Sequence, residues 1–168
     1  MEAKEQRRIF DEWLSEHRGL FFKVLRSYAF TAHDREDLFQ EIATQVWHSI
    51  PKFRRHAKVS TWIYRVALYS AIAWSKKERR YQAHVQTMDG CEQVLLTASK
   101  ERNPQLDWLF EQIGELGAID RSLTLLMLDG FSYREISETL GITESNVGVK
   151  INRIKKRLSE KLEEETLK

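Results

Sequence analysis

Between Thr143 and Leu158 the chain carries a set of residues able to read nucleic acid. Asn146, Lys150, Arg153, Lys156 and Arg157 recur on one face of a helix, and Val147, Ile151, Ile154 and Leu158 recur on the other. No acid falls between Ser145 and Arg157. A helix that docks by an apolar side and presents amide and cationic donors on the other has the chemistry a DNA major groove accepts.

The preceding segment completes a motif. Tyr133 to Leu140 reads as a short amphipathic helix with Ile136 and Leu140 as an i, i+4 apolar pair. Ser132 is placed as its N-cap, and Glu135 three residues on predicts a capping box. Gly141 falls where a left-handed C-cap favours glycine, and Thr143 or Glu144 then opens the basic helix. Short helix, glycine turn and basic helix make a helix-turn-helix. The plainer alternative is a helical hairpin with a solvated basic face.

A second constellation lies upstream. From Phe53 to Arg80, cations interleave with Phe53, Trp62, Tyr64, Tyr69 and Trp74. Cations hold phosphates, and aromatic faces stack on unpaired bases for roughly 1–3 kcal/mol each. The stripe Trp62, Val66, Tyr69 and Ala73 has core spacing, so at least half of these rings are expected to be buried. The loop Phe53 to Ser60, with Arg54, Arg55, His56 and Lys58, is better explained by an anionic partner. Just before it, Asp37, Gln40, Glu41, Thr44 and Gln45 share a polar helix face opposite Leu38, Ile42 and Val46. Acids in a first turn suit the helix dipole, but a continued Gln40-Glu41 surface points to docking on another protein.

The elements that must position these groups are all helical. The 168 residues include only two prolines and seven glycines, and apolar residues recur with helical rather than alternating periodicity. The expected fold is all-α. Two small helical domains, residues 1–81 and 104–168, are joined by a flexible linker at 82–103. Predicted helices cover Glu5 to His17, Gly19 to Tyr28, Arg35 to Ser49 (stopped by Pro51), Ser60 to about Arg80 with Ser60 as cap, Leu106 to Leu116, and Ile119 to Asp129. Met88-Asp89-Gly90 predicts a turn in the linker, with some helix around Gln93 to Ser99.

The net charge of +2 hides a pattern. Residues 1–51 carry seven Lys/Arg against nine Asp/Glu, residues 52–80 nine against one, and residues 82–131 three against eight. Two basic patches separated by an acidic stretch predict two contacts with nucleic acid. No apolar run reaches the roughly 20 residues of a membrane span, and the charged N-terminus has no signal-peptide pattern. Cys91 is the only cysteine, which leaves no internal disulfide and predicts a reducing, cytoplasmic setting. The five histidines (17, 33, 48, 56 and 84) show no metal-ligand spacing, and no phosphate-binding glycine loop or nucleophile motif occurs. No metal, cofactor or catalytic residue is therefore expected. A stand-alone regulator using the same helix-turn-helix is the main rival, but no dimerisation heptads or ligand domain are evident.

With both ends in view, the chain resembles a bacterial RNA polymerase sigma factor of the extracytoplasmic-function group. Asp37-Leu38-Phe39-Gln40-Glu41 with Trp47 is similar to the family's core-polymerase-binding helix. Phe53-Arg54 through Ser60-Thr61-Trp62-Ile63-Tyr64-Arg65 is similar to its promoter-melting segment, and Tyr133 to Leu158 to its C-terminal helix-turn-helix. The chain departs from the common pattern at Tyr69 and Ala73 (often Asn and Asp), Gly117 (often Pro), and Gly148-Val149 (often Lys-Ser).

The resemblance implies that Asp37, Leu38, Gln40, Glu41 and Thr44 bind the polymerase core at the clamp helices of its largest subunit, with a further contact at the flap. It implies that Phe53, Arg54, Arg55, Lys58, Ser60, Thr61, Trp62 and Arg65 meet the −10 element and capture a flipped base. Lys76, Lys77, Arg79 and Arg80 hold the adjacent backbone. Ser145, Asn146, Val149, Lys150, Arg153, Lys156 and Arg157 meet the −35 element. The acidic linker threads the RNA exit path, and an anti-sigma protein is the expected inhibitory partner.

Overall fold

The computed structural model describes residues 2–84 and 103–167, with backbone alone over 79–84. The described residues form helices and no strand: α1 Ala3–Glu16, α2 Arg18–Tyr28, α3 Ala32–Ser49, α4 Val59–His84, α5 Pro104–Gly114, α6 Ala118–Leu128, α7 Tyr133–Leu140 and α8 Glu144–Thr166, with a 3-10 turn at Ile50–Lys52. The chain divides into two compact units, Met1–Arg102 and Asn103–Lys168.

In the first unit each helix turns one apolar stripe inward. Thr31 caps α3 by accepting a hydrogen bond from the Asp34 amide at 3.1 Å. Leu38, Ile42, Val46 and Ser49 then face the core from α3. They meet Ile63, Tyr64, Ala67, Leu68, Ala71 and Ile72 of α4 and Phe21, Val24 and Tyr28 of α2, all buried. Each fully buried large aliphatic or aromatic side chain contributes roughly 1.5–3 kcal/mol. α1 is pinned on top: Gln6 Nε2 donates to the Trp47 carbonyl at 2.9 Å, and the Phe10 ring meets the Trp47 indole edge-on at 5.4 Å.

Two expectations for this unit need correction. Ser60 is not the cap of α4. The helix begins at Val59, and the Trp62 amide already donates to the Lys58 carbonyl at 3.1 Å, so Ser60 lies inside the first turn. The helix also runs on to His84 rather than stopping near Arg80. Second, the stripe Trp62, Val66, Tyr69, Ala73 is not core. Tyr69 and Ala73 are exposed and Trp62 half-buried, because α4 turns Ile63, Tyr64, Ala67 and Leu68 inward instead. Of the five interleaved rings only Tyr64 and Trp74 are buried, fewer than expected. Most of the linker, with its predicted turn and helix and Cys91, lies outside the described residues.

In the second unit α6 is the central helix. It is buried nearly all round: Arg121, Ser122, Leu123, Thr124, Leu125 and Leu126 are all buried. Ile113 and Leu116, Ile136 and Leu140 of α7, and Val147, Ile151 and Ile154 of α8 are buried in the same unit. Asn103 caps α5, accepting from the Gln105 and Leu106 amides, with Pro104 at the first helical position. Arg121, itself buried, donates from Nε to the Leu116 carbonyl at 2.8 Å and so fixes the α5–α6 turn.

Candidate polymerase and nucleic-acid interfaces

The polar ridge of α3 is built by the same periodicity that builds its buried face. Asp37, Gln40, Glu41, Thr44 and Gln45 are exposed, while Leu38 is fully buried. Leu38 therefore cannot touch a partner in this fold. The polymerase contact that the resemblance implied for it is corrected to a core anchor, on the apolar face where its spacing put it, that sets the ridge's outward orientation. The ridge is partly tied together. Gln45 Nε2 donates to Glu41 Oε1 at 3.0 Å, and Thr44 returns its hydroxyl to the Gln40 carbonyl at 2.8 Å. Asp37 is held from the next helix, for the buried Trp74 donates its Nε1 to Asp37 Oδ2 at 2.8 Å. Trp74 carried no sign of this role beyond its aromatic spacing.

The loop between α3 and α4 puts Arg54, Arg55, His56 and Lys58 on the surface. Arg55 adopts φ 57°, the only non-glycine residue with positive φ among those described. That conformation is costly for a side chain with a Cβ and marks a locally strained turn. Phe53 is not a free stacking platform. Its ring stands edge-on to Trp13 at 5.4 Å and tilted against Trp62 at 5.6 Å, which anchors the loop to α1 and α4. Trp62 is held in turn by its Nε1, which donates to Ser49 Oγ at 3.0 Å. Ser60 and Thr61 are half-buried.

Beside this loop an open groove of about 550 Å³ runs between α3 and α4, lined by Glu41, Gln45, Trp62, Arg65, Tyr69 and Ala73 among others. The stripe Trp62, Val66, Tyr69 and Ala73, expected in the core, is thus part of the groove wall. The Arg65 guanidinium lies 5.9 Å from the centre of the Tyr69 ring, within cation–π range. Lys76 and Lys77 are exposed further along α4; Arg79 and Arg80 belong to the same helix, their side chains outside the described set.

In the second unit the helix-turn-helix forms as its caps dictate. Ser132 Oγ accepts from the Glu135 amide at 3.2 Å, and Glu135 Oε2 accepts from the Ser132 amide at 2.8 Å. Gly141 closes α7 at φ 69°. Thr143 opens α8, accepting from the Asn146 amide at 3.1 Å. The Tyr133 ring lies against α8 at Gly148, where a Cβ would make an ordinary van der Waals contact of 3.5 Å.

The outer face of α8 exposes Ser145, Asn146, Val149, Arg153, Lys156 and Arg157. Lys150 departs from that set. Its side chain is only 22% exposed, and Nζ donates to Asp120 Oδ1 of α6 at 2.8 Å. Its ammonium is thus engaged within the unit rather than turned outward with its neighbours. Arg153 donates to the other oxygen of Asp120 at 3.1 Å yet keeps 64% of its side chain exposed. Lys156 and Arg157 have acid neighbours too, Glu160 and Glu115, both at 3.9 Å. Asp120 went unnoticed in sequence because it lies 30 residues from Lys150, with no local pattern tying them. Among the described residues no three His, Cys, Asp or Glu side chains gather as a metal site, and no helix is long and apolar enough to cross a membrane.

The first unit is all-helical with a polar ridge and a cationic loop, and the second is a helix-turn-helix. Comparison with known proteins gives the class. Residues 13–81 match sigma-70 region 2, and residues 107–158 match sigma-70 region 4. The chain belongs to the RNA polymerase sigma factors of the extracytoplasmic-function type. It is 26% identical over 162 residues to the RNA polymerase sigma factor YlaC of Bacillus subtilis, covering 88% of this chain and 92% of that one. It is 23% identical over 174 residues to the ECF RNA polymerase sigma-E factor of Haemophilus influenzae, covering 94% and 89%. Two solved structures share the fold. One is CnrH in complex with the cytosolic domain of CnrY (TM-score 0.65, 20% identity, 94% of this chain and 89% of that one). The other is the sigma factor RpoE in complex with the anti-sigma factor NepR from Bartonella quintana (TM-score 0.66, 19% identity, 94% and 98%). As a sigma factor, the chain is not an enzyme; it directs promoter-specific transcription initiation with the polymerase core.

Proposed function

We propose that the first unit binds the polymerase core through the α3 ridge and opens the −10 element, while the second unit reads the −35 element through α8. Asp37, Gln40 and Glu41 supply acceptors and an amide to the core. The exposed cations of the 54–58 loop hold phosphates next to a groove with aromatic walls. Melting costs stacking energy at each base step, and an unpaired base lodged against an aromatic face recovers part of it. On α8, Asn146, Val149 and Arg153 reach base edges, and Lys156 and Arg157 hold backbone.

The observation that carries this reading is the shared location of the exposed α3 ridge, the cationic loop and the Trp62–Tyr69 groove on one face-to-face helix pair. In-vitro transcription with core polymerase on a library of randomised promoters tests it. Enrichment of templates with two spaced elements is expected; uniform transcription, or none above core alone, removes the reading. We further infer that an anti-sigma protein holds the chain inactive, supported by the likeness to RpoE bound to NepR. Purification from the native host should yield a heterodimer unable to assemble with core; a free, fully active chain under every growth condition contradicts it.

A further inference from the structure

Asp120 lies between two cations of the recognition helix, as Glu115 lies between Arg157 and Lys161 further along it. Asp120 stands in the first turn of α6, its side chain is 19% exposed, and its two oxygens are divided between Lys150 at 2.8 Å and Arg153 at 3.1 Å. The two cations differ in what remains free. Lys150, 22% exposed, spends its charge on this pair, whereas Arg153 bonds Asp120 through one NH2 group while 64% of its side chain stays exposed. A guanidinium presents five donors in a fixed fork, so one edge can be held while another reads. An ammonium is a compact charge on a flexible stem and has no such second edge.

We infer that Asp120 is a specificity-determining positioning residue for −35 reading. Lys150 anchors the carboxylate, and the carboxylate sets the Arg153 fork at one angle to the groove. Asp120 also neutralises charge that would otherwise grip any phosphate, since phosphate contacts add affinity without sequence choice. The inference rests on the reading of α8 as the −35 helix.

The test uses full-length chain in holoenzyme and a duplex selected from a randomised promoter library, against the same duplex with its upstream element scrambled. Three variants are compared with wild type: Asp120→Asn, Asp120→Glu and Lys150→Met. Asp120→Asn is expected to lower the selected-to-scrambled affinity ratio by roughly tenfold, the scale of one bidentate base contact. Affinity for the scrambled duplex should hold or rise, and the slope of log K against log salt should steepen by about 0.9 for each cation released. Asp120→Glu, which keeps the charge, should recover much of the ratio. Lys150→Met should lower the ratio while leaving the salt slope unchanged, because the Lys150 ammonium is spent on Asp120. Thermal unfolding separates these effects from loss of the fold. An unchanged ratio in Asp120→Asn, a parallel fall on both duplexes, or a shallower slope in Lys150→Met overturns the inference. A wild-type holoenzyme with no preference between the duplexes overturns the −35 reading itself, and this inference with it.

Discussion

Trp74 donates its indole N–H to Asp37 Oδ2 at 2.8 Å, so α4 holds in place the first acid of the α3 ridge. The helix that carries the cationic face thus orients a candidate polymerase contact. A hydrogen bond to a charged group contributes about 1.5–3 kcal/mol net.

Trp74→Phe should therefore weaken core binding severalfold while keeping the unit folded, and Asp37→Ala should weaken it at least as much. Competition for limiting core polymerase, with circular dichroism as a folding control, measures both. Assembly equal to wild type in both variants would sink the role of this pair.

Arg153→Ala should reduce discrimination at one or two positions of the −35 element, by about 1–3 kcal/mol. Transcription from promoters with single −35 substitutions reads this directly. If a promoter with a scrambled −35 element loses as much activity as the intact one, Arg153 is a general phosphate contact instead.

Arg55 sits at φ 57°. Arg55→Gly should raise thermal stability slightly, as glycine relieves a strain of order 1 kcal/mol. The same change removes a loop cation and should slow open-complex formation more than closed-complex binding. Permanganate footprinting against a filter-binding measurement distinguishes the two steps. Equal effects on both would remove the loop from melting.

The helix-turn-helix depends on its caps. Ser132→Ala should cost about 1 kcal/mol of stability, and Gly141→Ala, at φ 69°, a comparable amount. Urea unfolding of the full chain should show the loss in the transition that reports α7 and α8. A wild-type midpoint for Gly141→Ala would show that the turn tolerates a Cβ.

Local patterns made much of this legible. The capping box at Ser132 and Glu135, the glycine at 141 and the i, i+4 apolar residues of α7 and α8 depend on neighbours within a turn, so they can be read from the chain directly. Spacing also put Leu38, Ile42 and Val46 on the buried face of α3. The Trp62 stripe shows where such reading stops: it had helical spacing, but spacing gives relative angles around a helix and not which angle faces the neighbouring helix. α4 turned Ile63, Tyr64, Ala67 and Leu68 inward and left Tyr69 and Ala73 to line a groove.

The order of helices, the caps of the helix-turn-helix, the two basic clusters and the family were set by the sequence alone, because each depends on residue type and short separation. The pairings of Asp37 with Trp74 across 37 residues, and of Asp120 with Lys150 and Arg153 across 30 and 33, were decided by tertiary packing. A carboxylate's partner is whichever donor the fold brings within about 3 Å, and chain distance carries no information on that.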